Sequence, residues 1–375
     1  MAFPAVGRDP ARDRGAEAVR VADNMLLYQR DNGGWPQRYP SIDYRRVFGD
    51  REKARIRGEK RLTDTMLDNG ATHPQLRYLA RVATATGEER FKAGFLRGVD
   101  YLLAAQLPCG GWAQSHPRAV YGDYARLITF NDGAMIGALT VLHEVAVKGR
   151  DCAFVDAGRR ARAAAAVERG VDCILRCQMV VEGKPTVWGQ QHDPKTFEPR
   201  GARSFEPPAL CAGESVGIVR FLMRLDSPGP EVIEAVENAV AWFDKARITG
   251  KHRVRKVMPD GKPDCVIVDD PDAPPQWARF YHPGGDLDGW PLGVDKLRVN
   301  QAIFVDVDHR SRHFNGKGRV YDELGKISRE RRTGYCWLGP FADDLLENDY
   351  PAWRRKWLPR EAEAGPMRAP RANAR

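Results

Sequence analysis

Two acidic-amide pairs stand directly ahead of helix-period stretches: Asp68 and Asn69 in LDNGAT, and Asn131 and Asp132 in ITFNDGAM. Such residues commonly cap helix N-termini, and Asp68 with Asn69 suits that role. Brought together from equivalent helix starts, the two pairs would instead offer one hard cation the carboxylate and amide oxygens that Ca²⁺ takes. No EF-hand loop is present to do this within one segment.

The segment GARSFEPPALCAGESVG carries Arg203 and Glu206 in a loop stiffened by Pro207 and Pro208, a spacing that also reads as a loop salt bridge. Trp277, Ala278, Arg279, Phe280 and Tyr281 set an arginine among aromatics, commonly a guanidinium packed on rings. Glu330, Arg331, Arg332 and Tyr335 repeat that chemistry. Several arginines beside aromatic rings suit a carboxylated sugar, because the planar fork pairs bidentately with carboxylates while rings stack on sugar faces. Asp306, Asp308, His309 and His313 have metal-ligand types but read as a solvated loop. The Gly-x-Ser-x-Gly elbow, the P-loop, the dinucleotide fingerprint and His-Glu-x-x-His are absent, which removes the main sequence support for those enzyme classes.

The elements that must position these residues repeat. GVDYLLAAQ (98–106) and GVDCILRCQ (170–178) match at an offset of 72, and each precedes a Trp-x-Gln: Trp112 to Gln114 and Trp188 to Gln190. An earlier copy runs from Met25 to Gln37 at an offset of 77. Between them, His73 to Thr86, Ile128 to Lys148 and Gly213 to Leu225 carry apolar residues at intervals of three and four, predicting amphipathic helices. Gly87, Gly110, Gly149 and Gly250 close such stretches, and Pro230 opens a helix from Glu231 to Lys245. The pattern predicts a mainly α fold, an α/α toroid that is an incomplete barrel of repeated helical hairpins with long loops over one face; a linear solenoid is the alternative. After about residue 250 the sequence turns polar and rich in Pro and Gly, an excursion over one face of the ring. The expected organisation is an N-terminal extension (1–20), a catalytic domain (21–358) and a disordered basic tail (359–375).

With 375 residues and 42% hydrophobic content the chain is a folded body, and its formal charge of +9 favours anionic partners. The excess is spread along the chain, so nucleic acid is not expected. No run approaches the roughly 18 apolar residues of a membrane span, and the first twenty residues lack the apolar core of a secretory leader. Seven cysteines make an odd, sparse set, read as buried or idle thiols.

Taken in order, NGGWPQ, LDNGATHPQLRYLARV, GVDYLLAAQ, ITFNDGAM, QQHD, ARSFEPPAL, GESVGIVRFLM, AVAWFDKARITG, WARFY and ISRERRTGYCW run from about residue 24 to 338. In these motifs the sequence resembles the polysaccharide lyase family 10 pectate lyases. The resemblance implies an α/α toroid, a monomer, and Ca²⁺-assisted cleavage of polygalacturonate by β-elimination. It places the catalytic base on Arg203 and the cation on Asp68, Asn69 and Asp132. It places a substrate-binding arginine on Arg279, and Asn131, Arg332 and Tyr335 are further substrate-binding candidates from their residue types. An arginine base, with an ordinary pKa of roughly 12.5 to 13.8, predicts an alkaline optimum; at pH 9.5 deprotonation costs about 4 kcal/mol.

The chain departs from the family pattern at Arg126 and Leu127, where histidine is usual ahead of ITFND, and at Asn300 to Phe304, which follow an insertion. A further family arginine has three candidates, Arg310, Arg312 and Lys317. The rival readings are an inverting glycoside hydrolase, which needs two carboxylic acids across the cleft, and a non-catalytic binder of acidic polysaccharide. The family acts outside the cytoplasm, while the thiols and the absent leader point inward, so the sequence leaves the compartment open.

Overall fold

The structure is a computed structural model that describes residues 10–37, 42–285, 297–306 and 318–358. The expected tail, residues 1–9 of the expected extension, and Asp308, His309, Arg310, Arg312, His313 and Lys317 lie outside the described residues.

Apolar residues three and four apart build the scaffold helices. In Glu89–Ala105 the buried stripe is Phe91, Phe95, Val99 and Leu102; in His73–Thr86 it is Leu76, Leu79, Ala80 and Ala83. Burying such a stripe is what makes a marginal helix stable. Consecutive helices pack as hairpins: His73–Thr86 on Glu89–Ala105, Ala134–Ala146 on Ala157–Cys177, and Ala212–Leu222 on Pro230–Ala246. Gly87 ends the first of these with φ 75°, in the left-handed region where glycine carries no Cβ penalty. The helix expected from Ile128 starts later, at Ala134. Ile128 and Thr129 pair instead with His192 and Gln191, and left-handed Asp132 and Gly133 interrupt any earlier helix.

The expected α/α toroid is not what the structure shows. Short antiparallel strands interleave with the helices throughout, forming six small sheets among the described residues, and nothing in the arrangement shows a closed ring of hairpins. Most of these strands are two residues long, too short to leave a period in the sequence. The polar stretch after residue 250 is also more ordered than expected: Lys251–Val257 and Pro263–Asp269 form a seven-residue antiparallel hairpin. A four-stranded sheet follows in the order Arg319–Tyr321, Ala302–Asp306, Phe280–Tyr281, Leu210–Cys211.

The internal repeat has a physical basis. Each copy ends a helix, turns, and returns a buried tryptophan whose indole N–H donates to a carbonyl of that helix: Trp35 to Met25 (2.8 Å), Trp112 to Leu102 (2.8 Å) and Trp188 to Ile174 (2.7 Å). The glutamine closing each helix donates to the returning loop and to the helix of the following copy, as Gln106 does to Gly110 and to Ala166 of Ala157–Cys177 (both 2.8 Å). Gly110 sits at φ 90°, where a Cβ would strike the carbonyl oxygen of Arg169, so only glycine fits. A fourth copy escaped the sequence reading: Trp277 is fully buried and donates to Phe243 O at 2.8 Å. Its third residue is Arg279 where the others have glutamine.

All seven cysteines are free, five of them buried. Asp306 accepts from the Ser328 backbone N–H and hydroxyl at 2.8 and 2.9 Å, ordering the start of the helix Arg329–Gly334.

Candidate active site

The residues two places after the repeat tryptophans converge on one polar cluster. Gln37 accepts from the Tyr121 hydroxyl, and Gln114 donates to Asp68 Oδ2. The Gln190 amide lies 2.9 Å from Asn131 Oδ1 and 3.3 Å from Tyr335 Oη. Arg279 donates through Nη2 to Glu214 Oε1 and, at 3.3 Å, to Asn131 Oδ1. A repeat that serves packing at its tryptophan therefore serves the site two residues later.

Asp68 is fully buried. Its Oδ2 accepts from Gln114 and from Asn69 Nδ2 (3.0 Å), while its Oδ1 is buried with no hydrogen-bond donor. Capping does not account for it: the N-cap of the following helix is Thr72, and no side-chain cap bond forms. Burial pushes the Asp68 carboxyl up to about 6, the charge of Asp132 adds to the rise, and the Gln114 and Asn69 hydrogen bonds oppose it. Asp132 is likewise raised, chiefly by burial, with Arg279 and Arg203 pulling it down and Glu206 pushing it up. Asn69 (φ 48°) and Asp132 (φ 51°) are both held in left-handed backbone, a strain of about 1 kcal/mol or more each that the surrounding structure maintains. The two aspartates feel one another, and Asp132 also feels both arginines, so the expected cation pair and the expected arginines occupy one electrostatic neighbourhood.

Arg203 and Glu206 form the ion pair that their spacing suggested. Nε donates to Glu206 Oε2 at 2.7 Å, Nη2 donates to Oε1, and the Arg203 backbone N–H reaches Oε2 at 3.2 Å. Glu206 is almost wholly buried (2% side-chain exposure), while Arg203 keeps 39%. Tyr335 Oη donates to Glu206 Oε1 at 2.9 Å, and the Arg203 guanidinium lies 4.6 Å from the Phe205 ring centroid. Burial disfavours the Arg203 charge, but the Glu206 carboxylate outweighs it and holds the guanidinium above its ordinary value. Arg279 is similar: burial opposes its charge, Glu214 wins, and its guanidinium stacks 4.7 Å over Tyr335. Burial lifts Glu214 itself to about 7 against the pull of Arg279.

Arg332 is not brought into the cluster. It is spent on Asp264 of the 251–269 hairpin (2.5 and 2.6 Å) and on Ile327 O (2.6 Å). Its neighbour Arg331 faces inward, with Cζ 3.9 Å over the Phe205 ring and Nε buried without a hydrogen bond. Burial lowers the Arg331 guanidinium, and Arg203 contributes in the same direction. Glu214, Gln114, Gln190 and Tyr124 also belong to the cluster and were not singled out from sequence. Their signal was present for the two glutamines, as the third position of the Trp-x-Gln repeat.

Among the described residues, no group of three or more His, Cys, Asp or Glu is placed to hold a metal. Asp68, Asn69, Asn131 and Asp132 do offer hard oxygen donors, and the orphaned Asp68 Oδ1 lacks a protein partner. That chemistry fits one oxygen-seeking cation whose remaining ligands come from elsewhere.

A sequence-family model described as Pectic acid lyase matches residues 29–346. An aspartate-to-alanine mutant of a family 10 polysaccharide lyase from Cellvibrio cellulosa, in complex with trigalacturonic acid, is similar in structure at a TM-score of 0.73 and 28% identity, over 92% of this chain and 95% of that one. A second structure of a family 10 polysaccharide lyase from Cellvibrio cellulosa is similar at a TM-score of 0.72 and 27% identity, over 92% and 94%. No curated protein matches the chain in sequence. No helix among the described residues is long and apolar enough to cross a membrane.

Proposed function

Because the chain belongs to the pectic acid lyase family and is a polysaccharide lyase, we propose that it cleaves polygalacturonate by calcium-assisted β-elimination, as a monomer, with Arg203 as general base. The observation that carries this reading is the polar chain running from Arg203 through Glu206, Tyr335, Gln190 and Asn131 to Arg279, with Asp132 joined to it at Asn131.

Elimination breaks the C5–H bond of a uronate, forms the C4=C5 double bond and expels the glycosidic oxygen, which takes a proton from solvent. The difficult step is the carbanion at C5, whose charge spreads onto the neighbouring carboxylate. Asp68, Asp132 and Asn69 would hold the cation, which when bound supplies positive charge beside that carboxylate. Arg279, clamped by Glu214 and stacked on Tyr335, would pair with a uronate carboxylate, with Asn131 beside it. Arg331, which faces inward over Phe205, would take the substrate-binding role expected of Arg332.

Arg203 would receive the proton on Nη1. Nε and Nη2 are engaged by Glu206, and Nη1 makes no hydrogen bond among the described residues. The same Glu206 keeps the guanidinium charged, so the neutral base is scarce and the reaction alkaline. Altered residues beside the substrate, Arg126 and Leu127 and the segment from Asn300, would tune which chains are preferred.

The test is ultraviolet absorbance of the 4,5-unsaturated uronide on incubation with polygalacturonate, with calcium or with chelator, for wild type and Arg203→Ala. Calcium-dependent absorbance lost in Arg203→Ala supports the assignment. Chain cleavage without absorbance would make the protein a hydrolase, and binding without cleavage would make it a sugar-binding protein.

A further inference from the structure

The hairpin Lys251–Val257 and Pro263–Asp269 carries more positive charge than its own ion pairs use. It holds five basic residues (Lys251, Arg253, Arg255, Lys256, Lys262) against three aspartates (Asp260, Asp264, Asp269). Each aspartate is already engaged: Asp269 by Lys251, Asp260 by Arg329, and Asp264 by Arg332 and Arg329. No carboxylate among the described residues pairs with Arg253, Arg255 or Lys256. Among the described residues Arg253 reaches only the Cys265 thiol (3.7 Å), while Arg255, Lys256 and the adjoining Val257 (75% exposed) are exposed.

The ribbon is mechanically continuous with the candidate active site. Successive residues on a helix point about 100° apart, and the helix Arg329–Gly334 uses this to face both ways. Arg331 lies over Phe205, which also carries the Arg203 guanidinium. Arg332 and Arg329 grip Asp264, a carboxylate only 2% exposed. An isolated two-stranded hairpin is marginal in water, so these ion pairs hold the ribbon against the body and fix its cations relative to the cleft.

We propose that this hairpin, through its exposed cations Arg255 and Lys256, is a docking surface for the part of a polyuronate chain that extends beyond the active site. The proposal rests on the polygalacturonate reading above. It is argued from charge complementarity: a polyuronate bears one carboxylate per sugar, and guanidinium and ammonium groups left without acid partners are the groups such a chain neutralises. Short substrates that fill only the cleft would not reach it.

The experiment compares wild type with the double variant Arg255→Ser, Lys256→Ser, using trigalacturonate and long polygalacturonate at low and high salt. Both side chains are exposed, so the fold is not at stake, and thermal melting checks this. The expected result is a KM for the polymer raised about 5-fold at low salt, from two exposed charge contacts of modest strength each. That difference closes near ~0.5 M salt, where screening is short-ranged, while kcat and KM for trigalacturonate stay within about twofold. Equal polymer KM in both proteins, or parallel losses on trimer and polymer, would overturn the proposal. Should wild type cleave neither substrate, the lyase reading fails separately, and retardation of the two proteins in polygalacturonate gels still decides the hairpin: stronger retardation of wild type supports it and equal mobility sinks it. Loss of retention on anionic lipid vesicles with polymer retardation unchanged would reassign the surface to lipid and overturn it also.

Discussion

Glu206 grips Arg203 through Nε and Nη2 together with the backbone N–H of the same residue, leaving Nη1 as the guanidinium nitrogen without a hydrogen bond among the described residues. One carboxylate thus fixes the direction of the proposed base and at the same time strengthens its hold on its proton. The two effects pull against each other. Orientation favours catalysis, and the raised proton affinity confines it to alkaline solution.

Arg203→Ala is expected to lower kcat by about 10²- to 10⁴-fold, the usual contribution of a positioned general base, with a smaller change in KM. Arg203→Lys keeps the charge but not the fork held by Glu206, and should recover little. Progress curves followed by absorbance measure both, and an Arg203→Ala enzyme with wild-type kcat would remove Arg203 from the mechanism.

Glu206→Gln separates orientation from proton affinity. With the anion gone, the Arg203 guanidinium releases its proton more readily, so the rising limb of the pH–rate profile should move to lower pH while the maximal rate falls through lost positioning. A limb that stays in place, or moves to higher pH, would contradict arginine as the base.

Asp68→Asn should trade function for stability. The folded protein holds the Asp68 proton more tightly than the unfolded chain, with a carboxyl at about 6 against 3.8. The protonated residue therefore favours folding below about pH 3.8, and this contribution is lost as pH rises through about 6. At neutral pH the neutral variant should be more stable by on the order of 3 kcal/mol, an advantage that disappears at pH 3.8 and below. Denaturant melts across this range read the sign. Calcium-dependent turnover should be absent from the variant, and in wild type the calcium requirement should steepen as pH drops below about 6.

Gly110→Ala tests the repeat turn. Its φ of 90° and the facing Arg169 carbonyl exclude a Cβ, so the variant should lose about 2 to 4 kcal/mol of stability. Gly183→Ala makes the comparison, because Gly183 also has positive φ (75°) but nothing within 4 Å of a Cβ. It should cost only about 1 kcal/mol, from the backbone strain alone. Equal losses in the two variants would show that close approach to Arg169 does not limit the turn.

The sequence by itself determined most of the scaffold helices and named Asp68, Asn131, Asp132, Arg203, Arg279 and Tyr335 of the cluster, but not Glu214 or Tyr124. Intervals of three and four set His73–Thr86 to the residue, because a buried stripe imposes a period that survives in one dimension, and Pro230 as an opening residue set Pro230–Ala246 to within one at each end. It also set the repeat, whose tryptophans must sit where an indole can reach a helix carbonyl, and the collinear motifs that tie the chain to its family. What tertiary structure decided is of another kind. Whether Asp68 caps a helix or stands orphaned depends on Gln114, a residue brought to it from the next repeat. Arg331 and Arg332 are identical in composition and adjacent in sequence, yet one helical step sends the first to Phe205 and the second to Asp264. The two-residue strands and the mixed architecture found where a toroid was expected have the same origin: most of these strands arise from pairing between distant segments, and short strands carry no period by which a sequence could announce them.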